Sequence, residues 1–194
     1  MLNQMPNAFD LIGFLDDGLP VGSLVDDVQI LGGTEWLKTC PNDVKVVVAI
    51  GTPSTKQSAI KKIRPEWNVQ FANVIHPQAL IQDPARVKWG GGCIICAGSI
   101  LTTGITIGNH VLINLNVTIG HDSKIGDCSS VMPGVNIAGH VTMGQSVLIG
   151  SGANILNNNS VGDNATIGAA SVVNHDVPSD VTAVGIPARI IKKA

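Results

Sequence analysis

A histidine followed at once by an acid, His121-Asp122, is the pair in this 194-residue chain best suited to moving a proton. An imidazole with a carboxylate beside it can be held in the tautomer that accepts a proton at neutral pH, which is what a general base needs. Gly139 lies 18 residues further on (139 − 121), and a backbone N–H there could donate to a developing oxyanion. Base and oxyanion donor together suit acyl transfer. A His beside an Asp is common on protein surfaces, so the pair gains meaning only from what positions it.

The competing chemistry is metal binding, offered by the other histidines, His76, His110, His140 and His175, and by the cysteines Cys40, Cys93, Cys96 and Cys128. Cys93 and Cys96 form a single CxxC with no second CxxC and no histidine at finger spacing, so packing is the better reading for them.

What positions these residues is a period of six. From Ile95, an aliphatic residue or Met recurs at 101, 107, 113, 119, 125, 131, 137, 143, 149, 155, 161, 167 and 173. Neither the period of a strand nor that of a helix produces six, so the period predicts a solenoid of short parallel strands separated by tight corners. Trp89 is in phase one hexad earlier and is placed to close an end of the apolar core. A second inward column lies four residues after each aliphatic one. It is small or β-branched apart from Asn159. Glycine follows the aliphatic residue at 108, 120, 126, 144, 150, 162 and 168, which reads as a corner needing unusual dihedrals.

Three hexads make one triangular coil of 18, so residues 18 apart stack at roughly 4.8 Å. On that ruler Gly139 sits one coil from His121. His175 is three coils away, about 14 Å, too far to share a metal. His110 and His140 differ by 30, which is no whole number of coils, and no pair has HxxxxH spacing. No metal is therefore expected within one subunit, while ligands gathered from several subunits stay open. A flat prism face invites self-association. The period does not fix handedness, and the general rule for parallel crossovers favours a right-handed path.

Residues 1–75 have a different texture. LIGFLDD (11–17), VKVVVAIG (44–51) and VQFANVI (69–75) read as short buried strands, and TPSTKQSAIKKIR after Gly51 reads as a helix capped by Thr52 with Pro53 in its first turn. Strand, loop, helix, strand predicts a small Rossmann-like α/β domain. The glycine-rich first turn of dinucleotide-binding domains is missing, so the domain reads as incomplete at its start. The β-solenoid follows over 76–184 and a tail over 185–194.

A net charge of −2 and a pI near 6.2 give no electrostatic drive toward nucleic acid or an anionic membrane. No run approaches a membrane span, and MLNQMPNAFD lacks the basic and apolar regions of a signal peptide. A cytoplasmic protein with reduced thiols is expected, with small molecules or copies of itself as partners.

The segments FANVIHPQALI (71–81), INLNVTIGHDSKIGD (113–127), PGVNIAGHVTMG (133–144), IGAASVVNHDVP (167–178) and VGIPARIIK (184–192) resemble the bacterial sugar acetyltransferases of the hexapeptide-repeat class. That group includes sialic acid O-acetyltransferases and UDP-4-amino-sugar N-acetyltransferases. GFLDD (13–17) and VVVAIG (46–51) resemble its N-terminal sugar-nucleotide domain.

The resemblance implies a left-handed parallel β-helix that forms a homotrimer, with active sites between subunits. Acetyl-CoA is the implied co-substrate, and the acceptor is a sugar or UDP-amino sugar. His121 matches the general base, Asp122 its acidic neighbour and Gly139 the backbone donor to the thioester oxygen. Ser130, Ser151 and Ala169 match positions lining the acetyl-CoA groove, and Asp16, Asp17 and Gly51 match positions touching the sugar nucleotide. Ser130 stands where relatives often carry a second histidine. Two other readings are a non-catalytic trimeric solenoid that binds a ligand or scaffolds a complex, and a metal-dependent hydratase.

Overall fold

A computed structural model describes residues 9–193; residues 1–8, which include most of the opening segment read for a leader, and Ala194 lie outside the described residues. From Val74 onward the chain winds into a three-faced parallel β-solenoid. The first face holds six strands in the order 172–173, 154–155, 136–137, 118–119, 100–101, 80–81, and the second holds five between 88–89 and 160–161. The third holds eight, running from 74–75 to 166–167 and ending in Val181–Gly185 and Ala188–Lys193.

Stacking follows the ruler of 18. Thr118 and Ile119 pair in parallel with Asn136 and Ile137, and these with Asn154 and Ile155. The register departs from 18 only near the ends. Leu80 pairs with Ile100, a separation of 20, because the 3-10 turn Pro84–Arg86 lengthens one corner. That insertion hides the first coil from a strict hexad count. At the other end Thr166 pairs with Thr182, a separation of 16, and the chain folds back as an antiparallel hairpin through Ala188–Lys193.

Both inward columns are buried apart from Asn159: Ile95, Leu101, Ile113, Val117, Val135 and Ile149 have no exposed surface. Trp89 packs on this core in the first coil, together with Ile75 and Ile81. Serines in the second column answer the requirement that buried polar groups be paired. Ser123 Oγ donates to Ala138 O at 3.0 Å and accepts from Val141 N at 3.2 Å.

The corner glycines have a different cause from the expected one. Their φ angles are ordinary; the left-handed residue comes two places later, at His110 (φ 55°) and Asp122 (φ 58°), for example. Short polar residues tolerate that conformation best, with histidine also enriched. Glycine at 120 is required by proximity instead: a Cβ there would lie 2.5 Å from the Gly139 nitrogen of the next coil.

The N-terminal part contains β1 (Phe14–Leu15), β2 (Leu24–Val25), β3 (Val28–Gly32), β4 (Lys45–Val46), helix α1 (Pro53–Lys62) and β5 (Gln70–Phe71). β1 runs parallel to β3, and β4 parallel to β5. The hairpin of β2 and β3, absent from the sequence reading, turns on Asp26-Asp27, both at positive φ (48° and 63°), as a two-residue hairpin loop demands. VQFANVI is split: β5 stays in the small domain, whereas Val74–Ile75 joins the solenoid. Between them Asn73 is bound from both sides, donating to Gly90 O and accepting from Cys93 N. Thr52 sits at the N-cap of α1 as expected, but its side chain makes no capping hydrogen bond.

Helix α1 is pinned to the third face by Lys56. This lysine is 1 % exposed, and its Nζ donates to His110 O (3.0 Å), Ser129 O (3.3 Å) and Ser130 Oγ (2.9 Å). Burial pushes the ammonium down to about 8, because removal from water disfavours the charged form.

Two predictions follow from packing. Gly120→Ala forces a methyl into backbone and should cost about 1–3 kcal/mol in urea unfolding, whereas Gly152→Asn, at a left-handed position where a Cβ meets nothing within 4 Å, should shift stability by less. Lys56 binds its proton more weakly in the folded than in the unfolded chain, so its contribution rises from about pH 8 toward its unfolded value near 10.5. Burial raises the thiols of Cys93 and Cys128 and works in the opposite direction above pH 9. The stability difference between wild type and Lys56→Met isolates the lysine, and it should move in favour of wild type by up to roughly 1.4 kcal/mol per pH unit across that window.

Candidate functional site

The corner between the first and second faces carries the predicted proton-transfer pair. His121 follows Gly120 out of the strand Thr118–Ile119, and the left-handed turn at Asp122 swings its carboxylate back toward the ring. His121 Nδ1 and Asp122 Oδ2 are 2.9 Å apart. With Nδ1–H donating to the carboxylate, the lone pair of the neutral ring is on Nε2. Asp122 is held below the ordinary carboxyl range, above all by this hydrogen bond.

Gly139 is stacked one coil along, as the spacing predicts. A Cβ on Gly139 would lie 2.7 Å from His121 Nε2, so the absent side chain is the space the ring occupies. Gly139 O accepts from Asn158 N at 3.2 Å, while its N–H has no acceptor among the described residues. The lone pair of the exposed His121 ring therefore lies beside the unpaired donor of Gly139, which is itself buried beneath it.

The same corner contains His140, which the sequence reading did not connect to the pair. Its ring meets that of His121 edge to face, with centroids 4.9 Å apart, and its Nε2 is 3.9 Å from Asp122 Oδ2. Its backbone N donates to His121 O at 2.8 Å. The signal was present in the spacing: 140 − 121 is 19, one coil plus one residue, the diagonal neighbour on the ruler of 18. His121, Asp122 and His140 offer donor atoms that all lie within 4.8 Å of one another. His175 does sit three coils along on the same ladder.

The remaining predicted residues are dispersed. Ser130 is fully buried on the third face, its hydroxyl accepting from Lys56 Nζ, which takes it off the surface. Ser151 and Ala169 are exposed and stacked at the corner between the third and first faces, with Ala170 N donating to Ser151 O. One chain thus separates them from His121 by a side of the prism. Lys56 gave no signal in the sequence, because nothing marks one lysine of α1 as buried.

Asp16 and Asp17 line an open cleft of about 750 Å³ in the N-terminal part, together with Gly33, Thr34, Lys62 and Arg64. The volume falls in the range of small-molecule sites. Asp16 Oδ1 accepts from Gly18 N and Leu19 N. Asp17 accepts from Thr34 N (2.6 Å) and Lys62 Nζ (2.6 Å), and Lys62 above all draws its carboxyl down to about 2. Gly51 is brought elsewhere, against the solenoid, where a Cβ would lie 3.7 Å from Met132 Cε.

Residues 1–63 match the PglD N-terminal domain family. The GDP-perosamine N-acetyltransferase of Escherichia coli O157:H7 is 30 % identical over 172 residues, covering 89 % of this chain and 68 % of that protein. A serine acetyltransferase of Synechococcus elongatus is 36 % identical over 110 residues; this chain spans 45 % of its length, under half. Among solved structures, PerB from Caulobacter crescentus in complex with CoA and GDP-perosamine has a TM-score of 0.80 at 28 % identity, covering 86 % of this chain and 80 % of PerB. The shared solenoid is the left-handed parallel β-helix, so the right-handed path favoured by the crossover rule does not apply here.

Gly139→Ala tests the geometry of the corner. The methyl displaces the exposed His121 ring and breaks its contact with Asp122, so the His121 ring resonances should shift in NMR spectra while the urea midpoint changes little. Unmoved ring resonances would contradict the packing described.

Proposed function

The chain belongs to the bacterial sugar acetyltransferases of the hexapeptide-repeat family, and on that premise we propose that it transfers the acetyl group of acetyl-CoA to the amine of a nucleotide-linked amino sugar. The observation that carries this reading is the His121 ring, bonded through Nδ1 to Asp122 and presenting Nε2 beside Gly139. The relative aligned across most of the chain acts on GDP-perosamine at nitrogen, which favours an amine over a hydroxyl acceptor.

In this mechanism the acceptor amine attacks the thioester carbonyl and His121 Nε2 takes its proton. Asp122 stabilises the resulting imidazolium and fixes the ring. The Gly139 N–H donates to the carbonyl oxygen as it becomes an oxyanion. Collapse breaks the C–S bond, and the proton on Nε2 passes to the departing thiolate, giving CoA-SH and the acetamide.

Ser151 and Ala169 lie on a different corner from His121, so a groove using all three draws on a neighbouring copy; a homotrimer with the site between subunits satisfies this. The cleft at Asp16 and Asp17 is the place for the nucleotide. With Asp17 paired to Lys62, the cations Lys61 and Arg64 at its rim suit a diphosphate. Acetyl-CoA supply makes the cytoplasm the compartment.

Assaying CoA release with GDP- and UDP-linked 4-amino sugars tests the proposal. Transfer to at least one is expected, and His121→Ala should lower its rate by about 10²–10⁴-fold. Wild-type transfer in a folded His121→Ala variant would refute the role of the base, and no release with any amino sugar would refute the acceptor class.

A further inference from the structure

The donor set His121, Asp122 and His140 has a chemistry that acetyl transfer does not use. Two imidazoles and one carboxylate converge on an exposed corner, and this is the one group of such ligands among the described residues. Each donor is carried by the coil stack rather than by a mobile loop. Asp122 N donates to Thr103 O of the coil below, and His140 N to His121 O. Both residues hold the left-handed conformation that aims their side chains along the corner.

We propose that His121 Nδ1, Asp122 Oδ2 and His140 Nε2 form a site for a divalent transition metal of the zinc class, with its fourth position open to water. Bonds of about 2.0–2.2 Å in a tetrahedron place donors roughly 3.4 Å apart. Two of the three separations bracket that value, 2.9 Å from Nδ1 to Oδ2 and 3.9 Å from Oδ2 to Nε2, and one donor atom from each of the three residues falls within 4.8 Å of the other two. Rotations of the exposed side chains by up to about 1 Å at the donor atoms close the difference. The N₂O donor set selects zinc, nickel, cobalt or copper(II) over magnesium and calcium. Three protein ligands and an open position are the pattern of an accessible rather than a structural site.

Metal binding has a definite consequence for the base. A neutral imidazole metallated at Nδ1 carries its proton on Nε2, so the nitrogen that would accept the acceptor's proton is filled. The metal then acts as a reversible inhibitor of transfer. This consequence, unlike the binding itself, rests on the function proposed above.

Calorimetric titration of EDTA-stripped protein with Zn²⁺, supported by the visible absorption of the Co²⁺ form, tests the site. One metal per chain is expected. His140→Gly removes a ligand while suiting the left-handed backbone at 140, so the fold is kept. It should weaken binding by at least the roughly 10–100-fold typical of lost outer-shell partners. His175→Ala should bind as wild type does. No heat and no Co²⁺ absorption, or unchanged affinity in His140→Gly, would overturn the proposal. In the CoA-release assay, Zn²⁺ should inhibit wild type and leave His140→Gly at its metal-free rate. A protein that transfers no acetyl group refutes the proposed function, while the calorimetry still decides the metal site.

Discussion

Everything in this molecule depends on parallel hydrogen bonding between each short strand and the strand one coil along. Two-residue strands have no stability of their own. They persist because each strand inside the stack is paired on both sides, at an offset of 18 away from the ends, with a buried aliphatic side chain beneath it. Closeness follows from the same stacking. At the corners successive coils come so near that a Cβ on Gly120 would lie 2.5 Å from the backbone above. The His121 corner inherits this geometry: His121 is brought to Gly139 by the ladder that pairs Ile119 with Ile137, without any contact designed for the purpose.

The solenoid was therefore highly legible. A period of six specifies strands, corners and both inward columns, and the offset of 18 places Gly139 beside His121 and His175 beyond reach. Legibility failed where the offset is not a whole coil. His140 lies at 19, diagonal to His121, and a ruler applied only in multiples of 18 passes over it. The first coil was hidden for a related reason, since the turn Pro84–Arg86 adds two residues and breaks the phase. The corner glycines were found but explained wrongly, because crowding between coils is invisible in a single repeat.

The N-terminal part was harder to read. Its strands are two to five residues long, too short for alternation to show. The hairpin at Asp26-Asp27 depends on two acidic residues at positive φ, a weaker mark than glycine. Lys56 marks the limit of sequence reasoning. Its burial is decided by where α1 docks, and the docking also claims the Ser130 hydroxyl. A residue expected to line a cofactor groove thereby becomes part of the joint between the N-terminal domain and the solenoid.

The central claim is that the coil stack sets one general base and one backbone donor around a single acetyl group. A crystal structure of the protein with acetyl-CoA tests it most directly. The account predicts the thioester at the His121 corner, its carbonyl oxygen within hydrogen-bond reach of Gly139 N, about 2.7–3.2 Å, with Ser151 and Ala169 of a neighbouring copy along the pantetheine. A thioester bound at another corner, or one whose oxygen is turned away from Gly139, would contradict it.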